Sequence, residues 1–299
     1  MKKEIVLPQN KVETNSYQDR IVIYEKIHAI DENDFVVLVS VVNPERGQII
    51  LDACCGYGSV SERLGVPIAE KGLDTKIVLL DSSEMQLERA RANLKSMNLQ
   101  FVLSDARQTP FPDAYFDTIV IKMGLHEVDA RSQKQMLKEM YRILKAGGKI
   151  VIWELALQDE TQPLFSKIIQ KKDELAGFDS LVRNRHFPKR EEVIWLLEYA
   201  GFKNPSVEHD VSYKLSVRNR MDEFMSVDRL KIMKSHNVIN RADERKLKKM
   251  AEQKISELRD FIRIHLSAEE KILMGYVEKK DDTILNVPKA IFKATKPAH

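Results

Sequence analysis

Cysteine is nearly absent: the 299 residues hold two, the adjacent pair Cys54 and Cys55. Neighbours in a tight strand-turn are badly placed for an ordinary disulfide, and two sulfurs alone cannot complete a structural zinc site. A stapled scaffold and a zinc module are therefore set aside, no metal is expected, and free thiols suit a reducing compartment. A large excess of charge of one sign is missing too. The net charge of +3 gives no global attraction for a polyanion, so any basic patch is local. Long apolar runs are also lacking: none approaches the roughly 20 residues of a membrane span. Met1-Lys2-Lys3-Glu4-Ile5-Val6-Leu7-Pro8 has no apolar core of signal-peptide length. The expectation is a cytoplasmic protein with no membrane span. Without internal repeats or low-complexity segments, and with 43% hydrophobic and 31% charged residues, the chain reads as globular. It is long enough for one large α/β domain with additions, or for two small domains.

What is present is a regular alternation of buried strands and helices. Residues 1 to 16 read as a polar arm, and Tyr17 to Ile30 has helical spacing. Asp34 to Val42 is expected to be a buried helix despite its β-branched run. Ile49-Ile50-Leu51-Asp52-Ala53 reads as a strand entering the turn Cys54-Cys55-Gly56-Tyr57-Gly58, with a helix from about Ser59. Further strands are expected at Lys76–Asp81, Gln100–Asp105, Phe116–Lys122 and Lys149–Glu154. A helix start falls at Ser82-Ser83-Glu84, and a helix over Ala130–Leu144 stops at Ala146-Gly147-Gly148. Residues 206 to 217 and 290 to 295 read as two more strands, and 218 to 280 as two or three amphipathic helices. This predicts an α/β fold: a doubly wound, mostly parallel seven-stranded sheet with helices on both faces and a helical insert before the last strand. The expected division is an N-terminal helical cap at 1–44, a core of 45–217 plus 281–299, and an insert at 218–280 serving as substrate lid or dimer surface.

Acids at the ends of consecutive parallel strands converge on the edge of such a sheet, where ligands bind. Asp52, Asp81 and Asp105 occupy that edge. A strand-turn-helix with glycines at its bend also brings backbone N–H groups to a ligand at a helix N-terminus. The three acids suit an adenosine with a cationic tail. Asp81 can accept from two ribose hydroxyls, Asp105 from the adenine amine, and Asp52 can hold an ammonium. The same acids serve equally as ordinary turn caps.

Read together, Asp52 to Gly58, the acid Asp81, Ser104-Asp105-Ala106, the loop Thr109 to Asp117 and the run Met140 to Lys149 resemble the class I methyltransferases that use S-adenosylmethionine. The nearest likeness is to the ubiquinone and menaquinone C-methyltransferases and the small-molecule methyltransferases, over roughly residues 45 to 215 and the last strand. The resemblance implies S-adenosylmethionine as cofactor, with contacts from Asp52, Cys54, Gly56, Gly58, Asp81, Ser82, Asp105, Ala106 and Lys122. Cys54 stands where the family often has its first glycine, and residues 218 to 280 have no counterpart from which roles transfer. A dinucleotide dehydrogenase fits less well, because its fingerprint asks for a glycine where Ser61 stands.

His126, in Met123-Gly124-Leu125-His126-Glu127-Val128, follows the fourth strand and so sits at the active edge. It serves either as a base that takes a proton from the acceptor or as a packing or hydrogen-bonding histidine. Glu127 and Glu154 are similarly placed for substrate contact. Arg183 and Arg185, in the basic run 183 to 190, suit an anionic substrate, although a solvated loop face explains them too. Five of the 11 methionines fall in the 218 to 280 insert, as a lid over a hydrophobic substrate or as core filling. The function expected is in-line methyl transfer to a small molecule, with a homodimer among the arrangements allowed. An RNA or protein methyltransferase is the first alternative, weakened because Lys122-Met123-Gly124-Leu125 replaces the Asn/Asp-Pro-Pro-aromatic motif of base-amine enzymes. A catalytically silent cofactor-binding partner protein is the second.

Overall fold

The computed structural model describes residues 32–94, 99–178, 184–236 and 239–298. The helix expected over Tyr17 to Ile30, the arm before it and Arg183 lie outside the described residues. Glu32–Val42 forms helix α1. Its valines would suit a strand, but Phe35, Leu38 and Val42 recur at helical spacing and are the residues it buries.

From there strands and helices alternate: β1 (Ile49–Ala53), α2 (Ser59–Glu70), β2 (Lys76–Asp81), α3 (Glu84–Asn93), β3 (Leu99–Leu103), β4 (Phe116–Lys122), α4 (Ala130–Ile143) and β5 (Leu144–Leu155). Helices α5 (Thr161–Ala176) and α6 (Arg190–Ala200) precede β6 (Lys203–Ser216). The insert supplies α7 (Met221–His236), α8 (Arg241–His265) and α9 (Ala268–Leu273), and β7 (Val277–Glu278) and β8 (Thr283–Thr295) complete the order. The sheet runs β3-β2-β1-β4-β5-β8-β6, with β7 paired to β8. Its first five strands are parallel, and β8 runs antiparallel to β5, β6 and β7. Strand order reverses between β1 and β4, which opens a crevice at their carboxyl ends.

Both faces of the sheet are covered, so its strands read as nearly continuous apolar runs. Ile50, Val120, Val151, Trp153 and Ile291 pack under α1, α2 and α3. Leu51, Ile119, Ile121, Ile152 and Phe292 pack under α4 and α6. A third cluster joins α5, α7 and α8 to Tyr213, Leu215, Leu285 and Val287 on the long outer ends of β6 and β8. In α8 the buried face is Leu247, Ala251, Ile255, Leu258 and Ile262. Among the described residues no helix is long and apolar enough to cross a membrane.

Four details depart from expectation. The two-residue β7 makes an eighth strand. Strand β3 ends at Leu103, so Asp105 stands in the following turn. Strand β5 starts at Leu144, directly from α4, and Ala146-Gly147-Gly148 forms a bulge inside it rather than a helix stop. A Cβ on Gly148 would lie 2.9 Å from the Asp117 carbonyl, and Gly147 has a φ of 76°. Strand β8 starts at Thr283, earlier than its proline suggests. The Pro288 carbonyl accepts from Ala156 at 3.0 Å, so its missing N–H falls on the β5 side, beyond the end of that strand.

Candidate functional site

The turn after β1 is shaped by Cys54, Gly56 and Gly58, with φ of 56°, 54° and 88°. At Gly58 a Cβ would lie 2.6 Å from Leu94 Cδ1 and 3.3 Å from Leu79 Cδ2, so both the backbone and the space demand glycine. Gly56 faces open space. Its N–H donates to Asp81 Oδ2 at 2.8 Å, and the Ser83 N–H donates to Asp81 Oδ1 at 2.9 Å. Asp81 thus ties the turn after β1 to the start of α3. Burial pushes its carboxyl up, against the N–H groups of Ser83, Gly56 and Ser82.

Cys54 holds a left-handed conformation that glycine adopts more easily. Its side chain has room because residue 124, just after β4, is glycine: a Cβ there would lie 2.8 Å from Cys54 Cβ and 3.0 Å from its Sγ. Both thiols are free. Burial pushes the Cys54 thiol far up, helped by Asp81, Asp105, Asp52 and Glu127. Four carboxylates whose charges act on one side chain make a setting that favours a cationic ligand.

Asp52 lies in β1, almost fully buried. Its Oδ2 accepts from the Ser61 hydroxyl at 2.7 Å and the Ser61 N–H at 3.2 Å. Its Oδ1 is buried, and nothing among the described residues donates to it. Burial raises the carboxyl to about 6, against the Ser61 hydrogen bonds and the charge of Lys122. An ammonium or another cation would satisfy this half-bonded acid. Lys122 itself lies with its Nζ 5.2 Å from the Phe35 ring and 5.5 Å from the Trp153 ring.

Asp105 makes a turn in which its Oδ1 accepts from the Arg107 N–H at 2.8 Å, while the Arg107 guanidinium caps its carboxylate, with Nη2–Oδ2 at 2.5 Å. Ala106 beside it is buried. Ser82 is half-buried between β2 and α3.

His126 is buried in the 3-10 turn Leu125–Glu127. Its Nδ1 lies 2.7 Å from Glu154 Oε1, and its Nε2 lies 3.2 Å from Glu127 Oε1. Burial lowers its pKa, but the two carboxylates outweigh that and raise it. Carboxylates on both nitrogens favour the imidazolium, which would donate to both and leave no nitrogen free to take a proton. The geometry therefore supports a positioning cation rather than a neutral base. Glu154 also accepts from the N–H groups of Leu125, at 2.9 Å, and Leu155, at 2.7 Å.

The chain of charges continues inward. Arg185 holds Glu127 through Nε at 2.7 Å and Asp173 through Nη1 at 3.0 Å. Lys172 bridges Asp173, at 2.8 Å, and Glu223. Arg220 stands 3.6 Å from Glu223 and donates to the Tyr213 hydroxyl at 2.8 Å. Glu127, Glu154 and Arg185, expected to face substrate, are thus bonded to His126, to Asp173 or to backbone in a network that ties the insert to the end of β5. Buried pairs of this kind add little net stability but cost several kcal/mol when one partner is lost.

Sequence reading missed several residues here. Met123, the residue after β4, has a φ of 55° and packs against two of the three apolar clusters. Its left-handed backbone has no pattern in the sequence. Arg107, only two residues from Asp105, was within reach of inspection. Lys289, buried in β8 with its Nζ 3.9 Å from the Tyr213 ring centre, is brought to this edge only by the strand order.

Comparison with known proteins then narrows the chemistry. Residues 50–148 match the family model described as a methyltransferase domain. The demethylmenaquinone methyltransferase of Staphylococcus saprophyticus is 34% identical over 182 residues, covering 56% of this chain and 75% of the relative. The ubiquinone/menaquinone biosynthesis C-methyltransferase UbiE of Escherichia fergusonii is 29% identical over 180 residues, covering 53% of this chain and 68% of the relative. Among solved structures, a candidate methyltransferase of Bacillus halodurans C-125 superposes with a TM-score of 0.66 at 21% identity, covering 89% of this chain and 99% of that one. Phosphoethanolamine N-methyltransferase 2 of Haemonchus contortus, in complex with S-adenosyl-L-methionine, has a TM-score of 0.52 at 17% identity, covering 97% of this chain and 61% of that one.

Proposed function

The chain belongs to the class I S-adenosylmethionine-dependent methyltransferases, related to the ubiquinone and menaquinone C-methyltransferases, and we propose that its acceptor is a small molecule received where β1 and β4 part. Bound S-adenosylmethionine supplies a methyl group already activated on a sulfonium. The protein's part is then to align the acceptor and exclude water, which can supply several kcal/mol without an acid or base.

Asp52 would meet the cofactor's ammonium with its unbonded Oδ1. Asp81 would take the ribose hydroxyls on the lone pairs that Gly56 and Ser83 leave. Asp105, Ala106 and Ser82 would line the adenosine, and Cys54, Gly56, Gly58 and Lys122 the remainder. His126, held by Glu154 and Glu127, would fix the wall opposite as a charged, immobile ring.

One observation carries the reading of a small acceptor. Residues 218 to 280 share an apolar cluster with α5, β6 and β8, and Met123 at the end of β4 touches it. Packed on the core in this way, the insert would serve as a wall of the acceptor pocket rather than as a detachable lid. The names of the curated relatives favour the same class, and free Cys54 and Cys55 suit a cytoplasmic setting. The test is to incubate the full chain with methyl-labelled S-adenosylmethionine and cell extract, then separate small molecules, RNA and protein. Label is expected in the small-molecule fraction. Label confined to RNA or protein refutes the reading.

A further inference from the structure

We propose that Lys289 forms an oxyanion subsite in the acceptor pocket, so that the small molecule methylated here carries a carboxylate or another ionised oxygen. The inference rests on the small-molecule reading above and adds the chemistry of the acceptor.

Strand register supplies the placement. Lys122 of β4 pairs with Trp153 of β5, which pairs with Ile291 of β8. Paired residues share a face, and so do residues two apart along a strand. Lys289, paired with Leu155 at the end of β5, therefore stands on the face of Lys122 and Trp153, two residues further along the strand. That is the α1 face, to which Asp52 belongs through its pairing with Val120. Asp52, Lys122 and Lys289 thus run along one side of the sheet edge, from the cofactor end outward.

Lys289 is only 6% exposed. Among the described residues its ammonium has no hydrogen-bond or ion-pair partner, and it lies over the face of Tyr213. Trp153 is 2% exposed, and its indole N–H is likewise buried without an acceptor. A buried indole N–H without an acceptor, on the same face as an ammonium without an anionic partner, suits a site that receives a ligand oxygen.

The charges around Lys289 point the same way. The positive charges of Lys122 on β4 and Arg220 in the turn after β6 act on it, opposed by Glu154 on β5 and Asp34 on α1. Both acids are already engaged, Glu154 by His126 and Asp34 by His209 at 3.1 Å. Burial above all, with Lys122 and Arg220, lowers the Lys289 ammonium to about 7. An arriving anion would reverse that balance and draw a proton onto the amine.

The experiment is calorimetric binding of benzoate and of its neutral isostere benzamide to the full chain with S-adenosylhomocysteine present. It is run at about pH 8 in two buffers of different ionisation enthalpy, on wild type, Lys289→Met and Lys289→Arg. Wild type is expected to prefer benzoate by about 10- to 100-fold and to take up a proton with it. Lys289→Met loses both the preference and the uptake while its unfolding stays cooperative. Lys289→Arg keeps a preference without proton uptake, since guanidinium is always charged. A wild type that does not distinguish the two probes, or a Lys289→Met variant that still does, overturns the assignment. The labelling experiment judges the small-molecule reading separately, and neither result depends on the other.

Discussion

Replacing Asp52 by asparagine separates the charge of that side chain from its shape. The wild-type carboxyl titrates at about 6 instead of 3.8. At about 1.4 kcal/mol per pH unit, the difference 6 − 3.8 means that an ionised Asp52 costs the folded protein about 3 kcal/mol. The folded state binds this proton more tightly than the unfolded state. The associated stability is therefore fully present below 3.8 and lost as pH rises through about 6. At neutral pH Asp52→Asn should be the more stable protein, by up to about 3 kcal/mol, because the amide oxygen can still accept from Ser61. The same change should weaken S-adenosylmethionine binding about 10- to 100-fold, the range of a charged hydrogen bond. In wild type the ionised fraction falls from about ten elevenths at pH 7 to about one eleventh at pH 5, so Kd should rise about tenfold between them. Asp81 is raised as well, so the variant keeps some slope, but a shallower one. Titration calorimetry gives the affinities, and urea melts give the stabilities. A variant that binds as tightly as wild type, or a wild-type affinity flat from about pH 7 to 5, refutes the assignment of Asp52 to the ammonium.

Gly58→Ala combines a φ of 88° with an approach of 2.6 Å to Leu94, and should lose about 2 to 4 kcal/mol in denaturant unfolding; a loss under about 0.5 kcal/mol would contradict the packing. Gly124→Ala should destabilise through its contact with Cys54, and Cys54→Gly should rescue it, with a coupling of about 1 kcal/mol or more in the double-mutant cycle; additive effects would mean the two residues do not compete for space. Glu154→Gln strands His126 beside one carboxylate and should cost about 3 to 5 kcal/mol. The raised His126 pKa contributes stability present below its ordinary value and lost as pH rises through the folded one. Urea melts at about pH 6 and pH 9 should therefore show a smaller fall for Glu154→Gln than for wild type, and equal falls would count against a charged His126.

The parts of the molecule legible in the sequence are those written locally. Asp52 to Ser59 spells strand, turn and helix within a few residues, and Phe35, Leu38 and Val42 repeat at helical spacing. The fold class and its relatives follow from such stretches. What escaped depends on partners distant in the chain. His126 stayed open between a base and a hydrogen-bonding histidine because nothing near it in the chain reveals that Glu154 will take its Nδ1. Arg185 read as a basic loop residue because Asp173 and Glu127 reach it only through tertiary packing. Lys289 is a lone cation in a largely apolar stretch, and its burial follows only from β8 lying between β5 and β6. The early start of β8 was hidden because proline reads as a strand breaker unless the neighbouring strand is known to have ended.

The position of β8 also sets a schedule for synthesis. Strand β6 ends at residue 216 and β8 begins at 283, so 283 − 216 − 1 gives 66 residues between them. At roughly 5 to 20 residues per second a ribosome needs about 3 to 13 s to make that stretch. Throughout it, β5 and β6 wait with open backbone edges, a template for pairing with any other extended chain. Slow codons or stalling within 217 to 282 should therefore raise aggregation more than the same delay placed earlier, in a region whose finished protein would be identical.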